Sequence, residues 1–140
     1  MKVVVTGGTG MIGRKLIDSL LAMPELIDRD GNMAEVTAIT AFDVVAPNPP
    51  LPDDPRLTIV TGEISDAEAV EALIDDDTDT VFHLAAVVSA QAEEDFDLGM
   101  RVNLDGTRIT LERCRALGHV PRVVYASSVA AFGGNMPDVI

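Results

Sequence analysis

Positively charged residues are scarce in this sequence of 140 residues. Ten Lys and Arg residues stand against 23 Asp and Glu residues, which gives a formal net charge of -13 at pH 7. Such a charge repels the phosphates of nucleic acids and the anionic headgroups of membranes, so we expect neither as a partner. No apolar run is long enough to span a membrane, and no basic and apolar leader opens the chain. These absences predict a soluble, cytoplasmic protein.

Cysteine, histidine and aromatic residues are also rare. Cys114 is the single cysteine, so an internal disulfide is excluded, which fits a reducing compartment. His83 and His119 lack Cys or carboxylate neighbours at metal-ligand spacing, so we expect no metal site and interpret His83 as a hydrogen-bonded structural residue. With no Trp and 4% aromatic residues, the core must be aliphatic. Runs of Val, Ile, Leu and Ala between polar helical stretches predict a single α/β domain.

The apolar runs predict five strands and three helices in the order β-α-β-β-α-β-α-β. We expect strands at 1–6, 36–42, 57–60, 80–84 and 122–126. The helices are expected over 11–24, after a capping box of Ser65 and Glu68, and over about 93–117. Residues 24–34 suggest a polar loop, 46–55 a proline-rich loop in place of a crossover helix, and 75–79 a solvated acidic helix end. This pattern predicts a Rossmann-type, doubly wound and mostly parallel sheet over residues 1–140.

Glycines at positions 7, 8, 10 and 13 follow the first predicted strand and open the first predicted helix. They fit G-x-G-x-x-G and also a variant that uses Gly7, Gly10 and Gly13. Such glycines permit unusual backbone angles, let a pyrophosphate approach the main chain, and let helix and strand pack closely. A merely structural turn is the alternative, but the flanking strand and helix favour dinucleotide binding.

Asp43 lies just after the second predicted strand. A carboxylate there can accept hydrogen bonds from the hydroxyls of the adenosine ribose and repel a 2′-phosphate, so it favours NAD over NADP. It follows the last glycine by more than the usual spacing of about 20 residues, and the polar loop at 24–34 explains the delay. A solvated turn aspartate is the alternative interpretation.

Five ordered motifs give the sequence a resemblance to a known family. They are TGGTGMIG at 6–13, GEISD at 62–66, HLAA at 83–86, VNLDGT at 102–107, and Ser127-Ser128 followed by Phe132-Gly133. Together they resemble the extended short-chain dehydrogenases/reductases, in the group of NAD-dependent epimerases and dehydratases. Within that group the stretch 81–118 is most similar to dehydrogenases of sugar acids. The resemblance covers the whole chain and implies NAD as the cofactor.

The resemblance also implies a role for each matching position. The implied cofactor contacts are Gly7, Gly10, Met11, Ile12 and Gly13 at the pyrophosphate, Asp43 at the ribose, Glu63 and Ile64 at adenine, Leu84, Ala85 and Ala86 along the cleft, and Asn103 and Ser127 near the nicotinamide. Glu63 departs from the family, which usually has Asp there. Ser128 matches the catalytic Ser/Thr, whose hydroxyl hydrogen-bonds the substrate oxygen. By sequence alone, a serine pair at a strand end could equally be a cap.

The catalytic base of the resembled family is not found in this sequence. Members use a Tyr with a Lys four residues later, which lowers the pKa of the Tyr. Tyr125 is the single tyrosine and Val129 follows it at that spacing. The motif would normally fall beyond Ile140, so we expect 1–140 to be the amino-terminal part of an enzyme, able to bind NAD but not to catalyse.

Three functions remain open at this point. The first is an NAD-dependent oxidoreductase that acts on a secondary hydroxyl of a sugar acid. The second, from the same family, is a nucleotide-sugar epimerase or dehydratase. The third is a non-catalytic dinucleotide-binding module. For the first two, the resemblance implies a small-molecule substrate and a full-length homodimer packed along the long helix.

Overall fold

Parallel strands form the central sheet of the computed structural model, which describes residues 1–23 and 25–128. In chain order the strands are β1 (Lys2–Thr6), β2 (Glu25–Ile27), β3 (Met33–Glu35), β4 (Ala38–Asp43), β5 (Leu57–Thr61), β6 (Thr78–His83) and β7 (Arg122–Tyr125). The sheet has the order β5-β4-β1-β6-β7 and all its pairs are parallel. This order places β1 at the centre, with the chain leaving toward both edges. The predicted Rossmann-type, doubly wound fold is confirmed.

The helices cover both faces of this sheet. They are α1 (Met11–Ala22), α2 (Ala67–Leu73), α3 (Ser89–Glu94), α4 (Phe96–Gly99), a π-helical segment (Met100–Gly106) and α5 (Thr107–Ala116). Within the described ranges, no helix is both long and apolar enough to cross a bilayer.

The core follows from the alternation of side chains along β1. Val3 and Val5 point to one face and pack in a cluster with Ile17 and Leu20 of α1. Val4 points to the other face and packs in a cluster that α2 and α5 complete with residues such as Val70 and Cys114. All three valines are fully buried, as a strand covered on both faces requires. The expected aliphatic core is present on both sides of the sheet.

The polar loop predicted at 24–34 is wrong, because β2 and β3 form an antiparallel hairpin there. The carboxylate of Asp28 accepts hydrogen bonds from the amides of Asp30 and Asn32, at 2.9 and 2.8 Å, and so closes the turn. The bond from Asn32 is the main reason that the pKa of the Asp28 carboxyl is lowered. Each strand has only three residues, too few for a visible alternating pattern.

The predicted capping box of Ser65 and Glu68 is also wrong. Asp66 caps α2 instead, because its carboxylate accepts hydrogen bonds from the amides of Glu68 and Ala69, at 2.9 and 3.3 Å. The charged cap also suits the positive end of the helix dipole.

The acidic run at 75–79 is not simply a solvated end. Asp75 pairs with Lys2, and its second carboxylate oxygen accepts a hydrogen bond from the hydroxyl of Thr78 at 3.0 Å. Burial acts to raise the pKa of Asp75, but these hydrogen bonds, the charge of Lys2 and a hydrogen bond from the amide of Asp77 together lower the pKa below its usual value. Asp79 is buried within β6. Only Asp76 and Asp77 are exposed as expected.

The long helix predicted at about 93–117 starts earlier and is interrupted. It begins as α3 and breaks at Asp95, whose carboxylate accepts a hydrogen bond from the amide of Leu98 at 2.9 Å and so starts α4. The chain then widens into the π-helical segment before α5. Gly99 and Gly106 allow close packing there, since a Cβ at Gly106 would lie 2.7 Å from Cγ2 of Ile64.

Candidate functional site

The carboxyl ends of the parallel strands meet at one edge of the sheet, where ligands bind in doubly wound folds. Two cavities open at this edge, on either side of a strip formed by residues 84–87 that follows β6. We call the first the glycine-side cavity, with a volume of about 540 Å³. The second is the serine-side cavity, with a volume of about 520 Å³.

The two cavities gather most of the predicted site residues. The glycine-side cavity is lined by the predicted residues Gly7, Gly10, Asp43, Glu63, Ile64, Leu84, Ala85 and Ala86. The serine-side cavity shares the strip and adds Asn103, Ser127 and Ser128. Met11, Ile12 and Gly13 line neither, but they follow directly on the glycine turn in the first turn of α1. Phe132 and Gly133 lie outside the described residues.

The glycine turn has no room for side chains. Gly7 has a φ of 69° and faces the strip, where a Cβ would lie 2.8 Å from the carbonyl carbon of Leu84. A Cβ on Gly13 would lie 2.2 Å from the carbonyl oxygen of Gly7, so α1 can approach β1 only with glycine there. These contacts are with main-chain atoms, which cannot rotate away. The sequence therefore encodes close backbone approach at two points.

The start of α1 presents main-chain N–H groups beside this turn. Gly10 is the N-cap residue and supplies no side-chain hydrogen bond. The first amides of a helix have no partner within it, and the helix dipole adds a partial positive charge. Met11 and Ile12 carry two of these amides, and their side chains are 73% and 57% exposed. An anionic group is the ligand that this arrangement suits.

Asp43 ties the end of β4 to the glycine turn. Its carboxylate accepts hydrogen bonds from the amide of Thr9 at 3.0 Å and from the amide of Val44 at 2.8 Å. Each carboxylate oxygen can accept a further bond, so both remain able to receive ligand hydroxyls. Thr9 was not singled out by the sequence, because the pairing spans 34 residues.

The far wall of the glycine-side cavity depends on Gly62. Its amide donates to the carbonyl of Asp43 at 2.9 Å, and a Cβ there would lie 2.9 Å from the ring of Phe42. Gly62 was noted only as part of a motif, and its packing role was missed.

The ionisable residues that line this cavity are Asp43 and Glu63, and both are acids. Glu63 is exposed. Such a lining disfavours a further anionic group at this end of the cavity.

The strip is held by side-chain hydrogen bonds at both ends. The hydroxyl oxygen of Thr6 accepts from the amides of Leu84 and Ala85, both at 3.2 Å. At the other end, the side-chain oxygen of Asn103 accepts from the amide of Val87 at 2.9 Å, and its NH₂ donates to the carbonyl of Val87 at 3.1 Å. Asn103 therefore acts on the strip that lines both cavities, from within the π-helical segment.

His83 lies between these two anchors. Its Nδ1 is 3.0 Å from the hydroxyl oxygen of Thr6 and its Nε2 is 3.1 Å from that of Thr107. The ring also stacks on Tyr125, with centroids 5.8 Å apart. Burial lowers the pKa of His83, which favours the neutral ring. The expectation that His83 is a hydrogen-bonded structural residue is confirmed.

Hydroxyl and amide side chains line much of the serine-side cavity. Ser127 and Ser128 follow β7, are exposed, and share the cavity with Tyr125 and Asn103. Gln91 of α3 lines the glycine-side cavity and was missed, because the helix was expected to begin only near residue 93. Among the described residues, no group of three His, Cys, Asp or Glu side chains could hold a metal ion.

Comparison with known proteins identifies close relatives of the whole chain. Residues 3–139 match the NAD dependent epimerase/dehydratase family. The chain is 52% identical over 140 residues to the D-erythronate dehydrogenase of Cupriavidus necator and 39% identical over 140 residues to that of Haemophilus influenzae. Both alignments cover 100% of this chain and 42% of the relative, so the chain spans less than half the length of these curated relatives. The predicted similarity to sugar-acid dehydrogenases is confirmed.

A solved structure gives the same result for the fold. The nucleoside-diphosphate-sugar epimerase from Agrobacterium tumefaciens superposes with a TM-score of 0.83 at 37% sequence identity. The superposition covers 98% of this chain and 40% of that chain.

Proposed function

The chain belongs to the NAD dependent epimerase/dehydratase family, and from that premise we propose that it forms the NAD-binding part of an oxidoreductase acting on a secondary hydroxyl of a sugar acid. The observation that carries the cofactor is the glycine-side cavity, where a glycine-rich turn lies beside a helix start without a side-chain cap and donates a hydrogen bond to Asp43. The names of the relatives support the substrate class, and D-erythronate is the first compound to test.

Each end of the cofactor would meet a different part of the site. The amides of Met11 and Ile12, with the turn at Gly7, Gly10 and Gly13, bind the pyrophosphate. Asp43 accepts hydrogen bonds from the ribose hydroxyls, and Glu63 and Ile64 contact adenine. The strip of Leu84, Ala85 and Ala86 lies along the dinucleotide, and Asn103 and Ser127 order the nicotinamide end.

Ser128 would act on the substrate rather than on the cofactor. Its hydroxyl donates or accepts a hydrogen bond at the substrate oxygen, which orients the secondary hydroxyl and steadies it as its proton leaves. NAD, when bound, supplies the hydride acceptor. Tyr125 is not the base, because it has no Lys four residues later. We therefore expect residues 1–140 to bind NAD without turning over a sugar acid.

A nucleotide-sugar epimerase is the second candidate, and the similarity to the Agrobacterium tumefaciens epimerase favours it. The two candidates differ in substrate, so assays of the full-length protein that contains residues 1–140 can separate them. NADH formation with D-erythronate supports the dehydrogenase. Epimerisation of a nucleotide sugar without net NADH supports the second candidate, and NAD binding without either activity leaves a non-catalytic binding module.

The assembly of the whole protein is a further part of the proposal. Large apolar side chains are exposed along α4 and the π-helical segment, with Phe96 70%, Met100 41% and Leu104 53% exposed. Burying such a row against a second copy would remove it from water, so we propose a homodimer packed along this helix. The cytoplasmic location stays a prediction.

Calorimetry with NAD and NADP tests the cofactor assignment. We expect the wild type to bind NAD more tightly than NADP. Asp43→Asn should weaken NAD binding by about tenfold, since a hydrogen bond to a charged acceptor is worth about 1.5–3 kcal/mol. It should also reduce the difference in affinity between NAD and NADP. Asp53→Asn is the matched control, because Asp53 is exposed in the proline-rich loop and lines neither cavity. Equal affinity of the wild type for both dinucleotides would contradict the role of Asp43.

A further inference from the structure

A hydrogen-bonded network joins the two anchors of the strip, through side chains as far as Thr107 and then through the main-chain carbonyl of Asn103. It runs from Thr6 through His83 and Thr107 to Asn103, and every link is 2.7–3.1 Å long. Thr6 holds the start of the strip and Asn103 holds its end. The residues come from β1, β6, α5 and the π-helical segment, so the network joins four elements of the fold to one wall.

The protons in this network can be assigned from the terminal acceptor. The Thr107 hydroxyl donates to the carbonyl oxygen of Asn103 at 2.7 Å, since a carbonyl can only accept. With its single proton used, Thr107 must accept from His83, so Nε2 of His83 carries the proton. A neutral ring then has a bare Nδ1, which accepts the hydroxyl proton of Thr6. The two lone pairs of Thr6 are left for the amides of Leu84 and Ala85.

Other protonation states of His83 break this arrangement. If Nδ1 carried a proton, the Thr6 oxygen would face three donors with two lone pairs, and its own proton would lose its acceptor. An imidazolium creates the same conflict. The amide of Leu84 keeps the carbonyl oxygen of Thr6 as a second acceptor at 3.1 Å, so the partly buried amide of Ala85 is the one that would lose its hydrogen bond.

We propose that His83 is a positioning residue for the dinucleotide: as the neutral Nε2–H tautomer, it links Thr6 to Thr107 and so holds the strip in the place that both cavities require. The inference rests on the proposed function only in taking NAD as the ligand. The proposed role of His83 runs through the amides of the strip, which the hydroxyl of Thr6 holds. Its buried position explains why the neutral form is favoured.

The surroundings of the ring are neutral. Within the described residues, the side chains that bond to it or stack on it are Thr6 from β1, Thr107 from α5 and Tyr125 from β7. None of these carries a charge in acid solution, and no carboxylate among them would stabilise an imidazolium. Protonation of His83 therefore has no compensating partner.

Nuclear magnetic resonance on the whole 140-residue chain tests the tautomer directly. The sequence has two histidines, so their ring nitrogens can be assigned without ambiguity. We expect the His83 ring to show the Nε2–H pattern at neutral pH, and the amide signals of Leu84, Ala85 and Val87 to move in His83→Gln and Thr107→Val chains. Thr107→Ser should restore them, because it keeps the hydroxyl. An Nδ1–H tautomer, or strip amides that do not respond, would overturn the proposal whether or not NAD binds.

Binding supplies the second readout, with the other histidine as its control. His119 donates one hydrogen bond from Nε2 to the carbonyl oxygen of Thr78, 2.8 Å away at the other end of β6. We expect His83→Gln and Thr107→Val to weaken NAD binding by on the order of tenfold, as the loss of one buried hydrogen bond implies. His119→Gln should bind NAD as the wild type does.

The outcomes separate this inference from the proposed function. If the wild type does not bind NAD, the proposed function fails, and the tautomer and amide signals still decide the inference. If the wild type binds NAD and the His83 and His119 variants bind it equally well, the inference fails and the proposed function stands.

Discussion

The two cavities beside the strip are similar in volume but are built from different groups. The glycine-side cavity depends on close main-chain contacts, at Gly7 in its wall and at Gly13 where α1 packs behind the turn, and a carboxylate completes it. Hydroxyl, amide and imidazole side chains form the serine-side cavity. The first therefore depends on the absence of side chains at a few positions, and the second on side chains that must be held in place. That difference decides how each responds to mutation and to pH.

The largest effect is expected from Gly13→Ala. The new Cβ would lie 2.2 Å from the carbonyl oxygen of Gly7, so α1 must move away from β1. We expect the free energy of unfolding to fall by about 3 kcal/mol and NAD binding to be lost, since overpacking at rigid main-chain atoms is poorly relieved. Denaturant unfolding and calorimetry measure the two effects.

Gly118→Ala is the matched control for this change. No atom lies within 4 Å of a Cβ built at Gly118. A stability change within about 0.5 kcal/mol is expected there. If Gly13→Ala behaved as Gly118→Ala does, the glycine-side cavity would not depend on close backbone approach.

A smaller effect on the free energy of unfolding is expected from acid. The serine-side cavity should respond at a higher pH than the glycine-side cavity, because His83 lies beside it. Burial lowers the pKa of His83 from its usual 6.5, so the unfolded chain takes up a proton there before the folded chain does. The stabilisation is complete above pH 6.5 and is lost as the pH falls below it. Between pH 7 and pH 5 we expect the wild type to lose stability more steeply than His83→Gln, by at most about 1.4 kcal/mol per pH unit.

Thermal unfolding at a series of pH values checks this difference in slope. The carboxylates with lowered pKa values, Asp28, Asp54 and Asp75, act in a separate window, because their stabilisation is lost only below their usual value of 3.8. His119→Gln keeps the His83 network and should keep the steeper slope. If the free energy of unfolding changed equally with pH in the wild type and in His83→Gln, the acid sensitivity would not arise from His83.

The smallest effect on cofactor binding is expected from Ser128→Ala. Ser128 is exposed on the serine side and is proposed to bind the substrate oxygen, so NAD affinity should stay within about twofold of the wild type. Ser19→Ala, on the outer face of α1, is the control for losing a hydroxyl. A tenfold loss of NAD affinity in Ser128→Ala would contradict the assignment of Ser128 to the substrate and not to the cofactor.

Sequence patterns predicted the glycine-side cavity better than the serine-side cavity, because the first depends on glycines and the second on hydrogen bonds between distant side chains. Glycines are visible in the sequence, and the alternation of strand and helix places Gly7 and Asp43 at the same edge of the sheet. The hydrogen-bond partners of His83 are not visible, because Thr6 lies 77 residues away and Thr107 lies 24 residues away. Such pairings follow only from strand order and helix placement.

The errors in the predicted fold come from short segments whose sequence pattern is ambiguous. The hairpin of β2 and β3 was missed because three-residue strands show no clear period. The π-helical segment was missed because apolar spacing alone does not distinguish it from an α-helix. Its wider turn accompanies the hydrogen bonds that Asn103 makes to Val87, a contact across 16 residues.

The strip of residues 84–87 is a single wall with a cavity on each side. Any molecule that orders the strip from the glycine side also orders a surface of the serine side, so a second molecule arriving there loses less conformational entropy. The two affinities are then thermodynamically linked, and the linkage is reciprocal: the factor by which the first ligand tightens the second equals the factor by which the second tightens the first. Under the proposed function, a thin partition of this kind would let a bound dinucleotide favour the binding of a second molecule on the serine side.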